Sequence, residues 1–312
     1  MKHYFSKFYA LLAATAALSA TFSADADHAF QMGLGYRQDT ITWDVDGKDS
    51  TLPYLAEDNL SFRDLDTIFL GGRLKGGLGC LYYRVDAEYG WIVNGREREK
   101  GLWYVAPQTM TNLGDNLKNV QRTIYAATVR NHIKKRNTFD FDLSIGVPFN
   151  LCANEIQLTP MIGYSYNTQR VRVKDHTKLG ENFTEEQQET IGMTEFSLGG
   201  HSNYRMSWWG PQLGFDMAYA TCDCGTYYSE MEFHFARARR QRNSDEGIVY
   251  DNYQKTRSAY IFTWKVGASI ALCDCWLVDA SLKYVDGFSE RSSTDKLNWR
   301  SGQVRVDAGY RF

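Results

Sequence analysis

The feature that most constrains this sequence is an alternation of apolar and polar residues. In 303–312 (QVRVDAGYRF), apolar residues occupy every even position, and polar residues or glycine occupy every odd position. The same period of two runs, less strictly, through 139–149, 260–272 and 276–285. Because successive side chains of a β-strand point to opposite faces, this pattern predicts strands with one apolar and one polar face.

Three further features favour a membrane barrel over a soluble β-sandwich, which also alternates. The apolar faces are rich in aromatic residues, and the chain contains 20 Tyr, 17 Phe and 8 Trp, as expected for the aromatic girdles at the membrane interfaces. The opposite faces carry many charges, which a barrel can hold in its lumen. Short turns alternate with long polar loops, an asymmetry typical of outer-membrane barrels. We therefore predict an all-β fold, a transmembrane antiparallel β-barrel in the bacterial outer membrane.

The alternating segments predict about ten strands, with long extracellular loops and short periplasmic turns. An even number of strands places both ends of the barrel on the periplasmic side. Residues 124–129 could form an additional strand, with 134–137 as its turn, and a second additional strand would then give about twelve. The predicted strands span 29–43, 59–74, 80–94, 138–150, 155–173, 207–221, 225–240, 257–272, 276–289 and 301–312.

The amino-terminal segment has the pattern of a secretory signal peptide. Two lysines accompany an apolar run at 8–20, which is too short to span a membrane as a helix. The tripeptide 24–26 (ADA) fits a cleavage site with small residues. We predict a signal peptide at 1–26 and a single barrel domain at 27–312, with an earlier cleavage after residue 19 or 20 as an alternative.

The six cysteines are predicted to lie at the short periplasmic turns. The periplasm is oxidising, and neighbouring strands are close enough for a disulfide between their ends. We predict a Cys224–Cys273 disulfide, while Cys80 and Cys152 are related in the same way. Free thiols, or zinc held by converging thiolates, are the alternatives, but we predict neither a metal nor a cofactor. The candidates for disulfides, including disulfides to other envelope proteins, are Cys80, Cys152, Cys222, Cys224, Cys273 and Cys275.

Charged residues on the polar faces are predicted to point into the lumen. Barrels of about eight strands are filled by side chains, whereas aqueous channels are typical of about sixteen or more. A barrel of intermediate size leaves two alternatives, an ion-pair network that fills the lumen or a constricted pore lined by charges. The candidate lumen residues are Arg84, Asp86, Glu88, Asp140, Asp142, Asp216, Glu230, Glu232, His234, Lys265, Asp279, Lys283, Arg305, Asp307 and Arg311.

The predicted extracellular loops differ in charge. Loops 44–58 and 174–206 are acidic, whereas loop 95–137 and the rim at 237–242 are basic. A guanidinium group matches phosphate with two hydrogen bonds, so the basic residues could hold lipopolysaccharide phosphates or be ordinary solvated side chains. The formal net charge of −2 argues against nucleic-acid binding. Outer-membrane lipid is the predicted partner, with lipopolysaccharide and disulfide-linked envelope proteins as further candidates.

Four short segments stand out from the alternating background. They are the Cys-Asp-Cys turns at 222–224 and 273–275, the segment 139–146 (FDFDLSIG) and the segment 208–214 (WWGPQLG). They resemble the outer-membrane proteins of chlamydia-related bacteria, the protochlamydial outer-membrane protein family. The resemblance extends over nearly the whole predicted mature chain, through loosely defined motifs. It implies a barrel in the outer membrane, pore formation and an envelope cross-linked through cysteines.

The predicted architecture also resembles the omptins, ten-stranded outer-membrane proteases that activate water with an Asp–Asp and an Asp–His pair at the upper rim. The residues of that site do not match here. The segment 94–97 (NGRE) contains no paired Asp, and loop 241–256 contains Asp245 and Asp251 but no His. No catalytic residues are therefore assigned. A porin-like or structural envelope protein is the leading prediction, with an omptin-like protease and an adhesin or lipopolysaccharide-binding barrel as alternatives.

Overall fold

The computed structural model describes most of the chain between His28 and Phe312, and its described elements are β-strands. Residues 1–27 lie outside the described residues, so the signal peptide stays a prediction. In the part of the chain that is described, no helix is long and apolar enough to cross a membrane. The described residues are 28–46, 55–104, 124–134, 136–151, 156–174, 177–179, 196–198, 201–222, 225–244, 253–273, 275–290 and 295–312.

The described strands pair antiparallel with their neighbours. In chain order they are β1 (Ala29–Asp46), β2 (Leu55–Leu78), β3 (Leu81–Tyr104), β4 (Ile124–Lys134), β5 (Asn137–Gly146), β6 (Phe149–Leu151), β7 (Ile156–Lys174), β8 (Thr177–Leu179), β9 (Phe196–Leu198), β10 (His201–Cys222), β11 (Gly225–Ser244), β12 (Tyr253–Ala271), β13 (Trp276–Ser289) and β14 (Asp295–Arg311). β8 and β9 form a separate two-stranded sheet, and the other strands belong to one large sheet.

The large sheet closes on itself to form a barrel. β1 pairs with β2 on one side and with β14 on the other, and the other strands pair in order around the ring. The backbones of His28 and Phe312 exchange two hydrogen bonds, with N–O distances of 3.2 and 3.0 Å, which extend the closing ladder. The ring is complete when β4, β5 and β6 are counted as one position. The prediction of an all-β, ten-stranded antiparallel barrel is therefore confirmed.

The position between β3 and β7 is filled by β4, β5 and β6 in succession. β4 pairs with the loop-side half of β3, and β5 pairs with the other half in the same direction. At their junction the Ile92 N–H donates to the Arg136 carbonyl over 2.8 Å, so hydrogen bonding to β3 continues. The alternative strand at 124–129 is present as β4, but β4 and β5 run in the same direction along β3, so the ring keeps ten positions rather than twelve. The break before β6 coincides with Pro148, which has no backbone N–H to donate.

The barrel is strongly sheared. This is seen when a row of residues that pair on successive strands is followed once around the ring. The row leaves β1 at Ile41, passes His234 on β11 and Arg84 on β3, and returns to β1 at Ala29. The displacement from position 41 to position 29 is 12 residues. This shear corresponds to strands tilted by roughly 40° and to an interior that side chains can fill.

The apolar face of the strands changes sides along their length, and this change marks the membrane boundary. Near the periplasmic turns the apolar residues face outward, so that Leu34 on β1 and Val306 on β14 are 63% and 58% exposed. On the loop side of the same strands, Trp43 and Trp299 face inward and are 2% and 3% exposed. An apolar outer face requires lipid around the barrel, whereas an apolar interior with polar residues outside requires water. The barrel therefore crosses the membrane and continues beyond it.

Several strands are longer at their loop ends than the sequence pattern predicts. β3 continues to Tyr104, beyond the predicted end at residue 94, and β10 begins at His201, before the predicted start at residue 207. About ten residues suffice for a tilted strand to cross a membrane, but β2 and β3 contain 24 residues each. The sequence-based prediction ends each strand where the outward-facing residues stop being apolar. This happens at the membrane boundary, although the backbone pairing continues beyond it.

Candidate functional site

The lumen of the barrel is filled by two layers of side chains, which together are the candidate site. The apolar layer lies on the loop side, and its aromatic members are Trp43, Phe62, Tyr204, Trp208 and Trp299. The ionic layer lies in the membrane-spanning part. Its members are Arg37, Asp39, Arg73, Arg84, Asp86, Glu88, Asp140, Asp142, Asp216, Glu230, Glu232, His234, Lys265, Asp279, Lys283, Arg305 and Asp307.

Arg84 on β3 is the centre of the ionic layer, and its side chain is 2% exposed. Nη1 donates to both carboxylate oxygens of Asp216, over 2.6 and 2.8 Å, and Nη2 donates to Glu232. Carboxylate oxygens of Glu230 and Asp142 lie 3.4 and 3.6 Å from the guanidinium nitrogens. These carboxylates belong to β5, β10 and β11, so one guanidinium joins four strands across the lumen. Hydrogen-bonded pairing of this kind offsets much of the cost of burying the charges.

Two further arginines connect strands that are distant in sequence. Arg73 on β2 donates to Glu230 on β11 over 2.5 Å. Arg305 on β14 donates to Glu88 on β3 over 3.1 Å, and Gln303 donates to the same carboxylate oxygen over 2.9 Å. These contacts join β2 to β11 and β14 to β3 across the lumen. The ionic layer therefore acts as a rigid cross-brace, since several of its buried carboxylates are held by arginines from other strands.

His234 on β11 lies at the boundary between the two layers. Its Nδ1 is 2.6 Å from the Ser165 hydroxyl, and its Nε2 is 3.3 Å from the Thr263 hydroxyl and 3.3 Å from a Glu232 carboxylate oxygen. A cavity of about 30 Å³, also lined by Lys283, lies beside these groups. A void of that size holds one or two water molecules rather than an organic solute.

The apolar layer closes the lumen on the loop side of this cavity. The rings of Trp208 and Trp299 stack with their centroids 4.9 Å apart, and the Arg240 guanidinium lies 4.5 Å from the centre of the Trp43 ring. Trp299 Nε1 also donates to Asp39 over 3.0 Å, which ties the apolar layer to the ionic layer. Trp208 is 0% exposed, so no water-filled path passes it.

One family model, described as Protochlamydia outer membrane protein, matches residues 31–312. The match spans almost the whole described barrel. The chain belongs to the Protochlamydia outer membrane protein family. This result confirms the predicted resemblance and the location in the bacterial outer membrane. No curated relative matches the chain.

Three solved structures that match the chain differ in how closely they agree with it. The outer membrane protease OmpT of Escherichia coli matches with a TM-score of 0.65 at 10% identity, covering 94% of this chain and 98% of OmpT. OprG of Pseudomonas aeruginosa matches with a TM-score of 0.34 at 9% identity, covering 92% of this chain and 96% of OprG. Ail of Yersinia pestis matches with a TM-score of 0.32 at 10% identity, covering 92% of this chain and 99% of Ail. The likeness to OmpT shows a shared fold and nothing about activity.

In this Protochlamydia outer membrane family barrel, the charged residues singled out by alternation are buried or half-buried in the lumen, with one exception. Arg311 is exposed at the end of β14. Sequence reasoning missed Arg37, Asp39 and Arg73, which belong to the ionic layer. Arg37 and Asp39 could have been found, because the odd positions from 31 to 39 are all polar or glycine.

The structure bears on three of the six cysteines. Cys80, Cys273 and Cys275 are free thiols, while Cys152 and Cys224 lie outside the described residues. Because Cys273 is a free thiol, the structure does not support the predicted Cys224–Cys273 disulfide. The β11–β12 ladder begins at Gly225 and Ile270, so Cys273 lies beyond it in the next turn. Within the described ranges, no three His, Cys, Asp or Glu side chains are arranged to hold a metal ion.

The residues considered for an omptin-like site do not come together. His234 lies in the lumen with Ser165, whereas Asn94 lies on the outer face and donates to Asp66 over 2.9 Å. Glu97 is 1% exposed inside the loop-side barrel. Asp245 and Asp251 lie outside the described residues.

Proposed function

We propose that this outer-membrane barrel is a closed structural component of the envelope rather than a diffusion pore. The observation that carries the proposal is the filled lumen. Arg84 and its carboxylates occupy the membrane-spanning part, and Trp208 and Trp299 close the loop side. A cavity between the two layers, beside His234 and Lys283, has a volume of only about 30 Å³.

The proposal is tested by the uptake of small sugars and amino acids into liposomes that contain the refolded protein. We expect no swelling above that of empty liposomes, because a buried ion network and stacked indoles leave no continuous water path. The double variant Trp208→Ala/Trp299→Ala should swell faster than the matched variant Trp264→Ala/Trp276→Ala, whose rings face lipid and are 44% and 54% exposed. Swelling by the wild-type protein would contradict the proposal.

A second proposed function is the binding of lipopolysaccharide phosphates on the outer face of the barrel. Arg170 on β7 and Arg205 on β10 are directly opposed, and Arg237 and Arg239 follow on the same face of β11. This face begins where the lipid-facing residues end, next to Phe235, which is 51% exposed. Like charges directly opposite each other in a sheet are destabilising. A phosphate that bridges Arg170 and Arg205 would remove this repulsion and accept two hydrogen bonds from each guanidinium.

This second function is tested by thermal unfolding of the detergent-solubilised barrel with lipid A and with dephosphorylated lipid A. Lipid A should raise the unfolding temperature, and the dephosphorylated lipid should not. The variant Arg170→Gln/Arg205→Gln should lose most of the increase. Arg300→Gln is the matched control, because Arg300 is an outward arginine on β14 that pairs with Asp286 at 3.4 Å. Phosphate binding at this face would be contradicted if lipid A stabilised Arg170→Gln/Arg205→Gln as much as Arg300→Gln. It would also be contradicted if the two lipids raised the unfolding temperature equally.

We further propose that exposed thiols link the barrel to other envelope proteins. Cys80 is exposed beside Gly79, in the turn that joins β2 and β3. Non-reducing gels of isolated envelopes should show high-mass species that disappear with reductant and weaken in Cys80→Ser. Monomer alone under non-reducing conditions would contradict this link.

A further inference from the structure

The turn between β12 and β13 holds two thiols in different environments. The ladder ends at the pair Ala271–Leu277, and the N–H groups of Leu272 and Cys273 both point to the Trp276 carbonyl, over 2.9 and 3.4 Å. The chain therefore reverses within a few residues, and Cys273 and Cys275 lie in the same tight turn. Cys273 is exposed, whereas Cys275 is half-buried.

Cys275 is also anchored to the last strand, and Cys273 is not part of that anchor. The Arg311 N–H donates to the Cys275 carbonyl over 2.7 Å. The backbone of Cys275 is therefore fixed by β14, whereas Cys273 remains exposed in the turn.

The spacing of the two cysteines suits a disulfide within the turn. Cα atoms two positions apart are at most about 7 Å apart in an extended chain and closer in a turn. Disulfides require a Cα separation of roughly 4.4–6.8 Å. A bond between such close residues closes a small, strained ring at the surface, and strained or exposed disulfides are the ones that exchange readily.

We propose that Cys273 and Cys275 form a redox-active pair, in which Cys273 exchanges with external thiols and disulfides and Cys275 resolves the mixed disulfide. The Cys273 thiolate attacks an external disulfide, which forms a mixed disulfide and releases one external thiolate. The Cys275 thiolate then attacks the Cys273 sulfur, which closes the turn disulfide and releases the second external thiolate. Two cysteine thiols are oxidised and one external disulfide is reduced, and the reverse sequence reopens the turn. The proposal does not depend on whether the barrel conducts solutes.

The direct test is mass spectrometry of the full-length refolded protein after reduction, treatment with oxidised glutathione and alkylation without further reduction. Trypsin releases both cysteines in one peptide, 266–283, whereas 222 and 224 share the peptide 206–237 and Cys80 lies in 76–84. The turn disulfide therefore appears as peptide 266–283 lighter by two hydrogens and carrying no alkyl group. A link between 206–237 and 266–283, or persistent alkylation of both cysteines, would overturn the proposal.

Variants separate the two roles. In Cys275→Ser, glutathione should remain attached to Cys273, because the resolving thiol is missing. In Cys273→Ser, the half-buried Cys275 should gain little glutathione. Cys80→Ser is the control and should leave closure unchanged, and each variant should first show the heat-dependent gel migration of a folded barrel. Equal glutathione adducts on wild type and Cys275→Ser would show that Cys275 does not resolve.

Discussion

At the scale of single residues, alternation in the sequence predicts which side chains face the lumen but not which residues form ion pairs with each other there. Arg84 and Asp216 are 132 positions apart and meet across the barrel. Whether these two residues meet depends on the shear of the barrel. The shear is a property of the closed sheet and cannot be read from the sequence of a single strand. The predicted Cys224–Cys273 disulfide lacks support for the same reason, because the positions of the strand ends depend on register.

The ionic layer leads to a prediction about Arg84. Arg84→Met should lower the free energy of unfolding by about 3–5 kcal/mol, because it leaves Asp216 and Glu232 buried without their cation. Arg300→Gln should change it by less than about 1 kcal/mol, because its pair with Asp286 is exposed. Urea unfolding of the refolded barrel in lipid vesicles, followed by tryptophan fluorescence, measures both. Similar losses in the two variants would show that the lumen network adds no more than a surface ion pair.

At the scale of strands, the change of apolar face explains which parts of the strands can be predicted from the sequence and which cannot. On β10, the apolar residues Leu213 and Phe215 occupy odd positions and face lipid. The apolar residues Met206 and Trp208 occupy even positions and face the interior, so the apolar pattern shifts by one residue along the strand. Alternation therefore predicts the membrane-spanning parts and assigns their extensions to loops. It also predicts a turn at 134–137, although β4 and β5, on either side, run in the same direction along β3.

Two glycines provide a prediction about strand packing. A Cβ on Gly35 of β1 would lie 2.1 Å from the Phe69 ring and 2.5 Å from the Val304 carbonyl oxygen, whereas a Cβ on Gly302 of β14 meets nothing within 4 Å. Gly35→Ala should therefore cost about 1–3 kcal/mol of unfolding free energy, because the core cannot accept the added carbon. Gly302→Ala should be within about 0.5 kcal/mol of wild type. Both values come from the same urea titration, and equal stabilities would mean that Phe69 moves away at no cost.

At the scale of the whole molecule, the closure of the ring of strands, its shear and the filling of its lumen by side chains depend on one another. A displacement of 12 residues around the ring gives an interior that arginines and carboxylates can span, as Arg84 does. The lipid-facing part and its extension then share one continuous interior, with an ionic layer below an apolar layer. The interior of a barrel built in this way is packed like a protein core, as the proposal of a closed lumen requires.

The claim that the lumen is closed is tested most directly by single-channel recording in planar lipid bilayers. Protein whose folded state has been verified by heat-dependent gel migration should insert without producing stepwise currents at either polarity. Trp208→Ala/Trp299→Ala should produce brief current steps more often than wild type, because it removes the stacked pair that closes the loop side. Regular, long-lived current steps from the wild-type protein would show an open pore and would contradict the account.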